Sequence, residues 1–213
     1  MYVKYSNNIL IKDNRLYNFR PVGIVISDVK NVTVDRNVIG HITTRTTFDA
    51  AKVVMDEECG ICTCTFYNWL NERCENIKVT NNIVAGATWI GMTLQGFKCG
   101  KPELSNHFGN VVHSVAKSAG GFGAGIHPDS FDSEQTKSCF EANGIITYKN
   151  TKVGTVFQDK APLHVIFRNM TGIDNALGLS VGGANGEDTE YLNTTIELHD
   201  SFIYGESPLP DCP

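Results

Sequence analysis

Asn8-Ile-Leu-Ile-Lys-Asp-Asn14, Asn31-Val-Thr-Val-Asp-Arg-Asn37 and Asn76-Ile-Lys-Val-Thr-Asn-Asn82 share one pattern. Each opens on Asn, alternates apolar and polar residues over a short run, and closes on Asn six positions later. Alternation at period two marks a strand with one buried face. The closing asparagines stand 23 and then 45 residues apart. The longer interval is about two of the shorter, so one degenerate coil is expected between Asn37 and Asn82. The pattern returns more loosely at Ile145–Asn150, Val165–Asn169 and Thr195–Asp200. Gly23 and Gly91 each follow a closing Asn by nine residues, and Gly154 and Gly178 stand 24 apart.

A repeat of this length means a solenoid, in which each unit buries its apolar face against the next. Leucine-rich repeats have a similar period but need a Leu-rich consensus and a helical turn in each unit. Here β-branched residues dominate. The fold expected over residues 1–213 is therefore all-β: a right-handed parallel β-helix with coils of about 23 residues. A β-sandwich with Asn-rich turns is the alternative. In the β-helix, Val32 and Val34 stack on Ile9 and Ile11. Asn14 and Asn37 occupy equivalent corners one coil apart, with Asn82 two coils on. Asn suits such corners because it tolerates left-handed backbone and its amide can bond to the Asn above it. Residues 96–109 and 125–139 break the rhythm and read as loops ejected from the coils.

The formal charge is −5 with no clustered Lys and Arg, which excludes nucleic acid as the main partner. No apolar run approaches the roughly 18–20 residues of a membrane span. Met1-Tyr-Val-Lys-Tyr5 lacks the layout of a signal peptide. Four of the seven cysteines, Cys59, Cys62, Cys64 and Cys74, crowd together; Cys99, Cys139 and Cys212 stand apart. The Cys59-x-x-Cys62 spacing is ligand-like, but no second half of a zinc site follows, so disulfides in a secreted chain are the preferred reading. The odd count leaves at least one cysteine without an internal partner if all the others pair.

Other candidates have plainer explanations. His127, Asp129, Asp132 and Glu134 could ligate Ca²⁺ or supply carboxylate chemistry, yet they lack the spacing of a calcium loop and read as a solvated segment. His113 and Ser114 are adjacent, and neighbours on a strand point to opposite faces, so they are not read as a catalytic pair. Trp69 and Trp89 read as core or end cover rather than sugar platforms. No metal site and no cofactor motif is assigned. Asn31-Val-Thr, Asn169-Met-Thr and Asn193-Thr-Thr are glycosylation sequons.

Residues 81–99, Asn-Asn-Ile-Val-Ala-Gly-Ala-Thr-Trp-Ile-Gly-Met-Thr-Leu-Gln-Gly-Phe-Lys-Cys, resemble a pattern of the fibrocystin family. So do Phe108–Ser114, with Val112 where the family pattern has Ala, then Tyr148-Lys-Asn150, Val153-Gly154 and the end at Tyr204–Cys212. The resemblance covers about residues 76–212. It implies a β-helix portion of a large extracellular protein on the cell surface, the ciliary surface included. The chain is then expected to be a fragment with an uncapped apolar end. The resemblance also places cysteines at Cys99 and Cys139, both in segments that interrupt the coils, and implies a disulfide between them; the four clustered cysteines then pair among themselves in one of three ways, and Cys212 is left single. The implied function is a non-catalytic structural or recognition module whose partners are other extracellular proteins or glycans. The alternative is a glycan-degrading enzyme, because the cell-migration-inducing hyaluronidase and its transmembrane relative have related β-helices. Convergent Asp, Glu, His or Arg on the outer faces would favour the enzyme; a flat face of Thr, Asn and Lys would favour the scaffold.

Overall fold

The computed structural model describes residues 1–19, 22–42, 59–63, 74–101, 105–116, 123–129, 138–157, 163–181 and 195–205. Among these there is no helix, and the chain winds through seven coils of short strands. The first coil holds β1 (Tyr2–Lys4), β2 (Asn7–Lys12) and β3 (Arg15–Phe19); the second holds β4 (Ile24–Ser27), β5 (Lys30–Asp35) and β6 (Val38–Ile42). The third holds β7 (Cys59–Thr63), β8 (Glu75–Thr80) and β9 (Ile83–Ala85). The fourth holds β10 (Ile90–Gln95), β11 (Phe97–Lys98), β12 (Ser105–Phe108) and β13 (Val111–His113). The fifth holds β14 (Ala124–Asp129), β15 (Ser138–Asn143) and β16 (Ile146–Tyr148). The sixth holds β17 (Val153–Phe157), β18 (His164–Arg168) and β19 (Thr171–Ile173), and the seventh β20 (Leu177–Val181), β21 (Thr195–His199) and β22 (Phe202–Tyr204).

Equivalent strands pair in parallel from coil to coil and build three faces. The first face runs β1-β4-β7-β10-β14-β17-β20, the second β2-β5-β8-β12-β15-β18-β21, and the third β3-β6-β9-β13-β16-β19-β22. This is a parallel β-helix. Ile9 pairs with Val32 and Ile11 with Val34, in the register the repeat predicts. Inward rows such as Val32, Ile77, Phe140 and Val165 are fully buried and form one continuous core. In the second to fourth coils both sides of the first face are buried, and a second apolar cluster of Cys59, Cys62, Ile90, Ala124, Val153 and Val156 lies along it. In the seventh coil, inward Leu198 and Ile203 are 42% exposed, because no described coil stacks beyond them.

Two expectations are corrected. β4 pairs directly with β7, β5 with β8 and β6 with β9, so no degenerate coil separates Asn37 from Asn82. The equivalents Leu16, Ile39, Val84, Val112, Thr147, Gly172 and Ile203 are spaced by 23, 45, 28, 35, 25 and 31 residues. Pairing dictates which residues stack but not how much chain joins one face to the next, and longer connections cost little. The two supposed ejected loops also carry strands. Residues 96–109 contain β11 and β12; residues 125–139 contain most of β14 and the start of β15. β11 runs antiparallel to β15, with Phe97 opposite Cys139.

The corners explain the asparagines. Between the second and third faces each coil has a residue at positive φ: Asp13, Arg36, Asn81, Gly109, Gly144, Asn169 and Asp200. The next residue points inward. In the first four coils it is Asn14, Asn37, Asn82 or Asn110; afterwards it is Ile145, Met170 or Ser201. The left-handed backbone therefore falls one residue before the closing Asn, not on it. The amide serves as a ladder. Asn37 Oδ1 accepts from the Asn14 backbone N–H at 3.0 Å and from its Nδ2 at 2.9 Å. Asn82 serves Asn37 in the same way, and Asn110 serves Asn82. In each pair of bonds, one satisfies a backbone donor that strand pairing leaves over at the turn and the other ties the two side-chain amides together.

A glycine column lies at the entry to the first face: Gly23, Gly60, Gly91, Gly125, Gly154 and Gly178. A Cβ on Gly91 would lie 2.1 Å from Val112 Cγ1 and 2.6 Å from the Gly125 carbonyl oxygen. The column lets backbone approach backbone where the chain turns into that face.

Candidate functional site

The outside of the second face carries most of the paired polar side chains. Strand pairing puts outward residues of successive coils in columns about 4.8 Å apart, and these columns bond along their length. Asn31 Nδ2 donates to Asn8 Oδ1 at 3.0 Å, and Asn76 Nδ2 to Asn31 Oδ1 at 2.8 Å. Arg36 reaches Asp13 at 2.8 Å, Lys30 reaches Glu75 at 2.9 Å, and Lys12 lies 3.9 Å from Asp35. Asp35 also accepts from Thr80 and Asn81.

The densest group lies on coils five to seven. Arg168 Nε donates to Glu141 at 2.8 Å. Glu197 bridges two imidazoles, His164 Nε2 at 2.7 Å and His199 Nε2 at 2.8 Å. These hydrogen bonds, His199 first and then His164, hold the Glu197 carboxyl below its usual range. The sequence did not single out these residues. Glu197 and its partner His164 are 33 positions apart, and only the coil register brings them together.

This group has the residue types a glycan-cleaving enzyme would need. Glu141 and Glu197 share one column, two coils apart with Ile166 between them. That is about 9.6 Å, at the upper end of the spacing of inverting carboxylate pairs. An inverting pair needs one carboxyl to keep a proton as general acid. Glu141 is ion-paired with Arg168, and the hydrogen bonds from His199 and His164 hold the Glu197 carboxyl below its usual range, which works against its keeping a proton. With both carboxyls engaged by basic partners, the arrangement does not suit a general acid. Nor does it suit a metal. His164 and His199 sit on neighbouring strands four positions out of register, about 14 Å apart at Cα, too far to share an ion at metal–nitrogen distances near 2 Å. Among the described residues no group of three or more His, Cys, Asp or Glu is placed to hold a metal ion.

The third face is different. Its strands are three residues long over most of its height, so each coil shows two outward side chains. One column runs Val38, Ile83, Val111, Ile146, Thr171, Phe202; the other runs Gly40, Ala85, His113, Tyr148, Ile173, Tyr204. Val38, Ile83, Ile146, Ile173, Phe202 and Tyr204 are exposed. His113 stacks on Tyr148 with ring centroids 4.4 Å apart, and burial followed by the Lys149 charge pushes its pKa down. The expectation that His113 and Ser114 diverge is corrected. Ser114 has φ +57, which turns its hydroxyl back to 3.1 Å from His113 Nδ1. His113 remains stacked in a column, with no buried acid behind it among its described contacts.

Cys99 and Cys139 are bridged, with Cα atoms 4.9 Å apart. Cys59 and Cys62 are bridged within β7, and Cys74 is disulfide-bonded. Cys64 and Cys212 lie outside the described residues. Asn31 and Asn169 are exposed at positive φ, and Asn169 Nδ2 donates to Asn143 Oδ1 at 3.0 Å. Asn193, Trp69, Asp132 and Glu134 lie outside the described residues, whereas His127 sits on β14 and Trp89 packs against the second apolar cluster. No helix among the described residues is long and apolar enough to cross a membrane.

Comparison with known proteins agrees with the sequence reading. No family model matches the chain, and no solved structure matches it. Fibrocystin of Canis lupus familiaris is 27% identical over 142 residues, which is 66% of this chain. The chain spans 3% of that relative's length. It thus resembles a region of fibrocystin and has the fold of a parallel β-helix.

Proposed function

We propose that residues 1–213 act as one β-helix repeat region of a large fibrocystin-like protein outside the cell, serving as a non-catalytic rod and recognition surface on the cell surface, cilia included. One observation carries this reading: on the second face the outward polar groups bond to one another along the axis. Asn8–Asn31–Asn76, Asp13–Arg36, Lys30–Glu75, Arg168–Glu141 and His164–Glu197 all link one coil to another. Such ladders stiffen a solenoid and engage the polar groups of this face with one another, the Glu141 and Glu197 carboxyls included. Recognition then falls to the third face, whose apolar columns with polar corners have the composition of a protein-binding patch. Its partners are other extracellular proteins or glycans. N-glycans at Asn31, Asn169 and Asn193 belong to the same proposal, as does the extracellular role of the Cys99–Cys139 bridge.

The competing reading, cleavage of glycans at Glu141 and Glu197, is tested together with it. Protein from its natural source is mapped by mass spectrometry and incubated with hyaluronan and other glycosaminoglycans. The expected result is glycan on at least one sequon and no change in polymer size. Bare peptides at all three sites would overturn the extracellular assignment. Depolymerisation that disappears in Glu197→Gln would overturn the non-catalytic one.

A further inference from the structure

The seven coils are not joined equally. From the first coil to the fourth, each junction has an asparagine Oδ1 that accepts from both the backbone N–H and the Nδ2 of the Asn before it. Asn175 does the same for Asn150 between the fifth and sixth. Between the fourth and fifth the ladder breaks. Asn110 meets Ile145, which has no amide, and the remaining ladder bond is from the Val115 N–H to Asn150 Oδ1 at 3.0 Å.

The direct strand pairing of the second face is also shortest there among the described residues. β15 pairs with β18 from Cys139 to Asn143, and β2 with β5 from Asn7 to Lys12. β12 pairs with β15 through His107 and Phe108 alone among the described residues. His107 points into the core at this level, fully buried. Its Nε2 bonds the Gln95 carbonyl oxygen at 2.7 Å, its ring stacks on Phe140 of the next coil, and its Nδ1 is buried with no hydrogen-bond partner. A buried polar atom without a partner is a local cost.

Cys99 belongs to the fourth coil and Cys139 to the fifth. Their bridge, together with the antiparallel β11, spans the same junction on the same face. Both cysteines are half-buried, whereas Cys59 and Cys62 are buried.

We propose that the junction between the fourth and fifth coils is the built-in opening point of this solenoid, and that the Cys99–Cys139 disulfide is the latch that keeps it closed. A dithiol reductant attacks one sulfur, forms a mixed disulfide, and then closes its own ring. The Cys99–Cys139 bond takes up two electrons and two protons and leaves two thiols. β11 then keeps its short pairing and the buried Phe97 but loses its covalent tie, and the second face can part between β12 and β15. The first face, where β10 pairs with β14 from Ile90 to Gln95, acts as the hinge.

Hydrogen exchange of the full chain, before and after treatment with a dithiol, tests this. Amides of β12 and β15 are expected to exchange at least tenfold faster after reduction, while those of β5 and β8 stay unchanged. The double variant Cys99→Ser/Cys139→Ser should show the same localised change with the other bridges intact. Ile145→Asn restores an acceptor for Asn110 and should slow exchange at the junction in the reduced protein. If reduction accelerates β5 and β8 as much as β12 and β15, or leaves the junction unchanged, the latch does not exist. If the double variant folds and exchanges like the oxidised protein, the effect of reduction belongs to another bridge and the proposal fails.

Discussion

In the first four coils the buried amides stand between the second and third faces, at Asn14, Asn37, Asn82 and Asn110, while the corner between the third and first faces carries Phe19, Ile42, Ala87 and Val115. In the fifth and sixth coils the positions are exchanged. Asn150 and Asn175 hold the latter corner, and Ile145 and Met170 fill the former. Both halves keep one amide column and one apolar column beside a common core. The difference teaches that the coil needs an inward amide at one of its turns but does not specify which. An amide column needs continuity, because each Oδ1 is used by the coil before it. The exchange can therefore occur only at a junction that gives up part of the ladder.

The glycine column does not change sides, and substitutions in it should produce the largest effects in both halves. Gly91→Ala would place a methyl group 2.6 Å from the Gly125 carbonyl oxygen, and Gly154→Ala would place one 2.7 Å from that of Gly178. Those oxygens belong to paired strands and cannot swing away. Each variant should lose about 3 kcal/mol or more in urea unfolding, or fail to fold. A mild effect in one half and a severe one in the other would show that the two halves differ in more than the placement of their amides.

Asn82→Ala and Asn150→Ala compare the ladders themselves. Asn82 donates to the Val34 and Thr80 carbonyl oxygens and to Asn110, and it accepts from Asn37. Asn150 accepts from Val115 and donates to Asn175. Removal leaves buried donors and acceptors unmatched, at about 3 kcal/mol for Asn82 and about 2 kcal/mol for Asn150. Asn14 is only half-buried, at the first coil, and Asn14→Ala should cost about 1 kcal/mol. Unfolding midpoints that rank these three otherwise would mean that position in the stack, not the amide, sets the cost.

The first half was readable because its asparagines, alternation and strand lengths coincide in sequence. Asn14, Asn37 and Asn82 each close a six-residue strand, so periodicity alone aligned Ile9 with Val32 and Ile11 with Val34. The coil count failed at Asn37–Asn82 because insertion length was read as an extra coil, whereas strand pairing is indifferent to it. In the second half Ile145 and Met170 replace the marker residue, so the repeat faded where the fold continued. Gly23, Gly91, Gly154 and Gly178 were visible, but Gly60 and Gly125 belong to the same column and were passed over because their spacing is irregular. The Glu197 group could be found only after strands 31 to 33 residues apart had been aligned. The ejected-loop reading of residues 96–109 failed for a related reason. Gly96, Gly100 and Pro102 punctuate that segment strongly enough to mask a core residue, His107.

His107 provides the gentlest probe of the junction between the two halves. Burial pushes its pKa down from 6.5 to about 4, against a smaller opposing contribution from the Gln95 carbonyl. The folded protein therefore holds it neutral where the unfolded chain begins to take up a proton. Between pH 6.5 and about 4 the unfolded state binds more protons, so stability falls as the pH falls through that window. Over the first pH unit below 6.5 this amounts to about 1 kcal/mol. His107→Leu keeps an inward apolar side chain in the column between Val79 and Ala142 and removes the titrating group. It also gives up the bond to Gln95, so its absolute stability can move either way; the readout is the slope. Urea midpoints measured across the window should decline with acid in the natural protein and lose about that much of their decline in the variant. All other groups are common to both proteins, so their contributions cancel in the difference. If the two slopes coincide, the acid sensitivity lies outside the junction, and the unpartnered Nδ1 is not what distinguishes the fourth coil from its neighbours.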